Sequence, residues 1–421
     1  MPSSAPRPDV ALAVRLFDDL AGATRRGRGI ERDSYGPGEQ AAHDLVRAEA
    51  ERLGLEVAVD AIGNLGLTLP GRDRSAPSVI IGSHLDSVPQ GGNFDGAAGV
   101  VAGLAVLAGW RHAGWQASFD VTVMAIRAEE SAWFDIPYLG SAGAFGLLDP
   151  DCLGVRRSDS GETLETVLAR QGFDAGAIRE RRRLIDPGRL RAYLELHIEQ
   201  GPVLVEEGVP VAVVTGIRGC RRLRNARCQG AYGHSGALPR AYRQDAVAAT
   251  IALLARLDAD WRAAEAGGAD LVVTTGEFST DPARHGPSKV AGETRFVIDI
   301  RSVSDETMTG VETRARQHAS AIKAEYRVRF DLGDASYSPP AAMDGALRAA
   351  LAARVAALGT RPFAMASGAG HDAAVFAAMG VRSAMLFVRN RNGSHNPEEA
   401  MEMEDFALGA RVLSDTLMGL S

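Results

Sequence analysis

A histidine and a carboxylate that could bind a metal ion lie close together in one short stretch of this chain. His84 stands in Gly82-Ser83-His84-Leu85-Asp86, and Asp95 follows in the glycine-rich segment 91–96. Imidazole and carboxylate groups behind an apolar strand or inside a turn are typical ligands of zinc and similar divalent ions. The segment therefore predicts half of a metal site.

Further donors stand later in the chain. Glu130 follows an apolar run, and His197 and His395 lie in two separate polar motifs. Any one of these residues alone is more often an ordinary core or surface residue. Together with His84 and Asp95 they suit a pair of zinc ions with one bridging carboxylate and an open position for water.

Two acidic residues beside these donors suit other roles. Asp86 stands next but one to His84 and can accept its second N–H, which would fix the tautomer of the ring. Glu129 has a neighbour committed to metal, so it is free to act as a general base on water. The alternative for Glu129-Glu130 is a solvated acidic pair.

Size and composition limit the class of protein. The chain has 421 residues, of which 46% are hydrophobic and 24% charged, and we expect a large core and two domains. A net charge of −7 argues against a nucleic-acid partner and favours a small molecule. The cysteines Cys152, Cys220 and Cys228 form no metal-binding or disulfide motif, which fits a reducing compartment.

The amino-terminal residues 1–10 are rich in proline and serine and carry no apolar export signal. No apolar run is as long as a membrane span. We therefore predict a cytoplasmic protein with no membrane partner.

The elements that must position these residues are α/β in character. Helical spacing and short apolar runs alternate, which predicts a buried, largely parallel sheet. Polar residues begin where the apolar runs end, as expected for ligands at the strand ends of an open sheet. The patterns predict helices at 10–20, 39–53 and 97–110 and strands at 55–59, 78–82 and 120–126.

A different pattern follows Gly216. Its order, β-α-β-β-α-β, predicts an inserted ferredoxin-like domain. The first of its helices would carry Val247, Ile251 and Leu254 on one face. We therefore predict a catalytic domain at 1–215 and 333–421 and an inserted domain at 216–332. The inserted pattern comprises strands at 223–228, 271–275, 294–301 and 326–332 and helices at 243–257 and 305–324, the latter capped by Ser304.

Several motifs occur in a fixed order and carry a family resemblance. They read GSHLDSVPQGGNFDGAAGV, AEES, ELHIEQGPVLVEEG, GHSGALPRAYRQDA, DIRS, SGAGHDA and GSHNPEE. From about residue 20 to 415 the chain resembles the hydantoinase/carbamoylase group of di-zinc amidohydrolases. That group contains N-carbamoyl-L-amino acid hydrolases, β-ureidopropionases and allantoate amidohydrolases, and it is related to aminoacylases and zinc exopeptidases.

The resemblance implies a zinc-exopeptidase-like catalytic domain and a homodimer joined through the inserted domains. It implies two divalent ions, zinc first, with manganese, cobalt or nickel as alternatives. Asp95 would bridge the ions, and Glu129 would be the base that activates a metal-bridging hydroxide. The resemblance completes one metal site with His84 and His197 and the other with Glu130 and His395.

The same comparison implies a set of substrate contacts. His234 would come from the partner subunit and stabilise the oxyanion. Arg301 could hold a substrate carboxylate, also across the subunits, although an ion pair with Asp299 or Glu293 is the alternative. A structural turn is the alternative for the last two members of the set. The implied contacts are Gln200, His234, Ser288, Arg301, Gly370 and His371.

The expected activity is hydrolysis of a C–N bond in a small carboxylated N-carbamoyl compound or related linear amide. The alternatives are an aminoacylase or dipeptidase and a metal-binding homologue without catalysis. Three residues depart from the family pattern, namely Trp133, Arg240 and Ser288. They predict a changed pocket wall beside Glu129 and a substrate other than the most common carbamoyl amino acids.

Overall fold

The structure, a computed structural model, describes residues 6–421. The first five residues, which belong to the amino-terminal segment used for the export prediction, lie outside the described residues. The chain forms two compact units. The first contains the residues up to Thr215 together with Ala342–Ser421, and the second is Gly216–Ala341. The second unit extends past the predicted limit at residue 332, because a strand at Ala335–Ser338 pairs within it.

Helices are found in both units. Asp9, Asp245 and Ser304 cap three of them by accepting a backbone N–H from the first turn, as predicted for Ser304. The helices are α1 (Val10–Thr24), α2 (Pro37–Arg52), α3 (Ala97–His112), α4 (Leu139–Ala144), α5 (Leu164–Arg170), α6 (Ala175–Arg179), α7 (Val203–Glu206), α8 (Ala246–Ala266), α9 (Asp305–Tyr326), α10 (Gly345–Ala357), α11 (Asp372–Ala378) and α12 (Met403–Leu420).

The strands alternate with these helices in the first unit and cluster in the second. They are β1 (Arg25–Arg26), β2 (Gly29–Ile30), β3 (Glu56–Val59), β4 (Leu65–Leu69), β5 (Ser78–His84), β6 (Val121–Ile126), β7 (Leu190–Ile198), β8 (Val211–Ile217), β9 (Gly219–Gln229), β10 (Gly233–His234), β11 (Val272–Thr274), β12 (Phe278–Thr280), β13 (Lys289–Val290), β14 (Glu293–Ser302), β15 (Arg329–Asp331), β16 (Ala335–Ser338), β17 (Ala341–Ala342), β18 (Ala364–Ser367), β19 (Ser383–Val388), β20 (Asn390–Arg391) and β21 (Ala400–Met401).

The main sheet of the first unit is parallel at its centre and antiparallel towards its edges. The four strands β19, β7, β5 and β6 are neighbours and run parallel. β8 joins β19 antiparallel, and β4 and β3 extend the opposite side antiparallel. The prediction of a largely parallel central sheet is confirmed. Because parallel strands end at the same edge, His84 and His197 leave the sheet on the same side.

Helix α3 lies at the centre of the first unit. Every residue from Ala97 to Trp110 is buried, and the helix packs on β5, β7, α1 and α12. A helix that is apolar all round needs such a position, because no face of it can meet water. α3 begins directly after the turn that carries Asp95, so the central helix anchors that turn.

The second unit is an antiparallel sheet with two helices packed against it. The strand order is β11-β14-β9-β15, and α8 and α9 contact each other and the sheet. On the face predicted for α8, Val247 and Leu254 are half-buried, and Leu254 packs against the core of this unit. Ile251 is 57% exposed, whereas the small residues Ala246 and Ala249 are buried with Leu253. The helix therefore packs through both alanines and leucines and leaves the Ile251 side chain in solvent.

Among the residues that the structure describes, no helix has the length and apolar character needed to cross a membrane.

Replacing Leu104 with Ala should lower the free energy of unfolding by about 2–5 kcal/mol, because this α3 side chain is fully buried and its loss leaves a cavity. Leu147→Ala is the matched control in the same unit. Its side chain is 48% exposed, so the expected loss is under about 0.5 kcal/mol. Chemical denaturation followed by tryptophan fluorescence measures both. Equal losses would contradict the central position of α3.

Candidate metal centre

Two histidines from neighbouring parallel strands converge on one oxygen of Asp95. His84 ends β5 and His197 lies near the end of β7. The Nε2 atom of His197 lies 3.2 Å from Asp95 Oδ1, and that of His84 lies 3.7 Å from it. Gly96 follows at φ 66°, and a Cβ there would lie 2.5 Å from the His84 ring. The turn therefore needs glycine at this position to bring Asp95 against the ring.

The second oxygen of Asp95 faces another pair of donors. The Nε2 atom of His395 lies 3.3 Å from Asp95 Oδ2 and 3.3 Å from Glu130 Oε1. Asp95 therefore stands between two groups, as a bridging carboxylate would. The five predicted ligands form these two groups, which are His84, Asp95 and His197 on one side and Asp95, Glu130 and His395 on the other.

The spacing and chemistry of these donors fit divalent metal ions. Two ligand atoms on a tetrahedral zinc ion lie about 3.3 Å apart, because each bond is about 2.0–2.1 Å long. Asp95 Oδ1 is buried and has no hydrogen-bond partner among the described residues. Burying a carboxylate oxygen without a partner costs free energy, and a bound cation would supply the missing partner.

The far nitrogens of the two buried histidines are already occupied. His84 Nδ1 lies 3.0 Å from the Asp86 carbonyl oxygen, and His197 Nδ1 lies 2.9 Å from that of Ile198. Nδ1 of a neutral ring would donate to these oxygens and leave a lone pair on Nε2 towards Asp95. This arrangement is the usual one for metal-binding histidines.

The charges of the site shift its pKa values strongly. Burial would raise the pKa of Asp95, but the neighbouring imidazoles of His197, His395 and His84 hold it well below its ordinary value. Asp95 and Glu130 raise the pKa of His395 to about 10. Carboxylates that stabilise protonated imidazoles in this way also attract metal cations. A bound metal ion would take the place of the proton on the ring nitrogen.

Glu129 lies beside the donors without joining either group. Its Oε2 atom is 3.9 Å from His84 Nε2, and its side chain is buried. Burial raises the pKa of Glu129 well above the ordinary value; His84 opposes the rise and Glu130 adds to it. The backbone N–H groups of Glu129 and Glu130 each donate to the Asp86 carboxylate at 3.1 Å. Asp86 thus braces this segment as well as contacting His84.

A second carboxylate holds the same segment from behind. Glu39 accepts the backbone N–H of Ala128 at 2.8 Å and the guanidinium of Arg127 at 3.0 Å. Burial raises the pKa of Glu39 to about 7, although Arg127 opposes the rise. Ala128 has φ 50°, a left-handed conformation that alanine rarely adopts. Glu39 and Arg127 therefore stabilise a strained turn immediately before Glu129.

The donors open on a cavity of about 150 Å³. Trp133 is not among its lining residues. The indole is buried, donates to the Ser87 carbonyl oxygen at 2.8 Å and lies under the Arg157 guanidinium. The prediction that Trp133 changes the pocket wall is therefore wrong. The lining residues are His84, Asp95, Glu129, Glu130, Ser131, Pro137, Tyr138, His197, Gln200, Ala369, Gly370, His371 and His395.

Three predicted substrate contacts line this cavity. Gln200 Nε2 donates to Asp95 Oδ2 at 2.9 Å. Gly370 lies so close to the Tyr138 hydroxyl that a side chain at this position would overlap it. His371 is buried against His197, with a ring nitrogen 2.9 Å from Ser367 Oγ. Burial, followed by the charge of His197, lowers the pKa of His371 well below the ordinary value, so its ring is neutral.

The remaining predicted contacts lie in the second unit. His234 in β10 pairs with β13, and its Nδ1 accepts backbone N–H groups from Gly236 and Ala237 at 3.2 Å. The ring therefore carries its proton on Nε2 when neutral. Ser288 lies beside it, because its carbonyl accepts the Ser235 N–H. Arg301 Nε donates to Asp299 at 3.0 Å, which is the ion pair considered from the sequence.

Sequence reasoning missed several residues that hold the donors. Glu399 accepts the backbone N–H groups of Phe94 and Asp95, at 2.8 and 3.2 Å, and thereby holds Asp95 in place. Glu195 is buried and accepts from the Ala373 N–H at 3.0 Å. Both glutamates stand inside the quoted motifs, as the last residue of GSHNPEE and the first of ELHIEQG. Their position inside these motifs was the sequence signal that could have identified them.

The mixed sheet carries, at one edge, groups of histidines and carboxylates that could hold metal ions. The chain belongs to peptidase family M20/M25/M40, whose sequence model matches residues 80–419. The predicted relationship to the hydantoinase/carbamoylase group is confirmed by similar proteins.

Three of these proteins illustrate the similarity. The N-carbamoyl-L-amino acid amidohydrolase of Geobacillus stearothermophilus is 34% identical over 93% of this chain and 94% of its own length. The allantoate amidohydrolase of Bacillus subtilis is 29% identical over 95% and 94%. The crystal structure of a hydantoinase/carbamoylase family amidase from Burkholderia ambifaria superposes with a TM-score of 0.87 and 29% identity, over 99% and 98% of the two chains.

Replacing Asp95 with Ala should remove bound metal from both donor groups, because each group includes one of its oxygens. His395→Ala should remove metal from one group only. His112→Ala, on an exposed histidine of α3, is the control and should leave the content unchanged. Elemental analysis of the purified proteins measures metal per chain. Full metal content in Asp95→Ala would contradict the bridging role.

Proposed function

We propose that the protein is a metal-dependent amidohydrolase that cleaves a C–N bond in a small carboxylated N-carbamoyl compound. The observation that carries the proposal is the convergence of three histidines and two carboxylates beside the buried Glu129. The names of the Geobacillus and Bacillus relatives point to the same kind of substrate.

The two donor groups would hold one divalent ion each, with zinc the first candidate. Asp95 would serve both ions, with His84 and His197 on one side and Glu130 and His395 on the other. When bound, such ions polarise a scissile carbonyl and make a neighbouring water more acidic.

Glu129 would act as the proton carrier. Its carboxylate lines the cavity and is held by the bracing of its backbone on Asp86. This position beside both donor groups suits a carboxylate that takes a proton from water and later releases it to the leaving nitrogen. With an N-carbamoyl amino acid, the products would be the amino acid, ammonia and carbon dioxide.

The second unit would be a ferredoxin-like dimerisation and lid domain. Its antiparallel strand order and two packed helices support this fold. A homodimer formed there would let His234 serve the partner's metal centre.

In that arrangement the second unit would supply substrate contacts. His234 could donate its Nε2–H to the oxyanion, because its Nδ1 is fixed as an acceptor by Gly236 and Ala237. Arg301 would bind the substrate carboxylate when it leaves part of its contact with Asp299. Ser288, which lies beside His234, would contact the same substrate.

Glu129→Gln should lower turnover by about 10²–10⁴-fold while metal content stays normal, because glutamine cannot carry the proton. Ammonia release is measured on N-carbamoyl-α- and β-amino acids and allantoate, with zinc or manganese added. Glu398→Gln, on an exposed carboxylate, is the control. An active Glu129→Gln enzyme would reject the role of Glu129. Release of an acyl group from N-acyl amino acids without ammonia release would favour an aminoacylase instead.

Mixing two inactive variants, Glu129→Gln and His234→Ala, should restore activity if His234 acts across the subunits. Each mixed dimer would then contain one site with both residues intact. Subunits are exchanged by partial denaturation and refolding, and ammonia release is compared with that of each variant treated alone. If both residues of a site come from the same chain, every site in a mixed dimer carries one defect and no activity returns.

A further inference from the structure

A second cavity of about 200 Å³ lies in the first unit and shares no lining residue with the metal-centre cavity. We call it the His43 cavity. Three of its lining residues come from α2, where their spacing of three and four positions places them on one helix face. The lining residues are Gln40, His43, Arg47, Val59, Gly63, Leu65, Arg127, Gln171 and Phe173.

His43 has polar atoms that the protein leaves unsatisfied. The side chain is 2% exposed, and neither ring nitrogen has a hydrogen-bond partner among the described residues. Burial, helped by the charges of Arg127 and Arg47, lowers the pKa of His43 well below its ordinary value. The ring is therefore neutral, so one of its nitrogens is a donor and the other an acceptor. Burying such groups without partners costs free energy, so an occupant that pairs with them gains it.

The charges around the cavity favour an anion. Arg47 and Arg127 both line it, and no carboxylate does. Arg127 is paired with Glu39, whereas Arg47 forms no ion pair with any residue in the described part of the chain. A carboxylate-sized anion would therefore meet an uncompensated guanidinium from Arg47 together with the His43 ring.

The rest of the wall is apolar. Val59, Leu65 and Phe173 line the cavity, and the Phe173 ring lies 5.2 Å from the guanidinium carbon of Arg127. This surface suits a hydrocarbon group attached to the anion. A zwitterionic amino acid suits it less, because its ammonium group would find two guanidinium groups and no carboxylate.

We propose that the His43 cavity binds a small aliphatic carboxylate and thereby acts on the segment that carries Glu129. The carboxylate would pair with Arg47 and His43, and its hydrocarbon part would lie on the apolar wall. Arg127 links the cavity to this segment, because Glu39 holds both the Arg127 guanidinium and the Ala128 N–H. An anion that attracts Arg127 weakens its contact with Glu39 and so changes the support of the strained turn before Glu129.

Binding is tested by NMR on the full-length, metal-loaded protein with ¹³C-labelled histidine. The His43 resonance is identified by its absence from His43→Gln. Acetate and propionate should shift it saturably, with propionate binding more tightly, and glycine should not. Arg47→Ala should weaken propionate binding by about tenfold or more. Arg52→Ala, on the same helix and exposed beside Glu49, should leave binding unchanged.

The same proteins test the link to Glu129 through turnover. Propionate should change kcat in the native protein and in Arg52→Ala but not in Arg47→Ala. A His43 resonance that does not shift, or shifts equally in Arg47→Ala, would reject the carboxylate site and leave a water-filled cavity. A propionate effect on KM alone that persists in Arg47→Ala would reject the link. Because the NMR measurement needs no turnover, failure of this proposal is distinguishable from failure of the proposed amidohydrolase activity.

Discussion

The first unit is organised around the carboxylate of Asp95. One buried oxygen faces His84 and His197, and the other faces His395. Such a cluster is tolerated only if its charges are balanced and its backbone is held rigidly. The central helix α3 fixes the turn from one side, and Glu399 fixes it from the other through two backbone N–H groups. A large part of the fold therefore serves to keep one carboxylate between two groups of imidazoles.

The segment that carries Glu129 is also held by buried carboxylates that accept its backbone N–H groups. Asp86 holds the backbone of Glu129 and Glu130, and Glu39 holds Ala128. Both carboxylates accept backbone N–H groups of this segment, and neither lines the metal-centre cavity. Such supports keep reactive side chains at fixed positions, and a left-handed residue like Ala128 persists only where its surroundings hold it.

The convergence of the five candidate metal ligands was the feature that the sequence predicted best. His84 and Glu130 follow apolar strands that had to end at one edge of a parallel sheet, so their convergence followed from topology. Which side chains are buried in the core was harder to predict from the sequence. Ile251 was predicted to share a face of α8 with Val247 and Leu254, yet it is exposed, and the helix buries Leu253 and Leu257 together with Ala246 and Ala249. Strand 326–332 was predicted too long, because α9 continues to Tyr326 and only Arg329–Asp331 pairs. The direction of the Trp133 side chain depends on its contact with Ser87, which no local pattern contains.

The close approach of Tyr138 to Gly370 has a consequence for changing the substrate range of this protein. The phenol hydroxyl occupies the space that any side chain at position 370 would need. Substitutions at 370 are therefore expected to fail while Tyr138 is present and to become tolerable after a smaller residue replaces it. A library aimed at position 370 should therefore vary position 138 together with it.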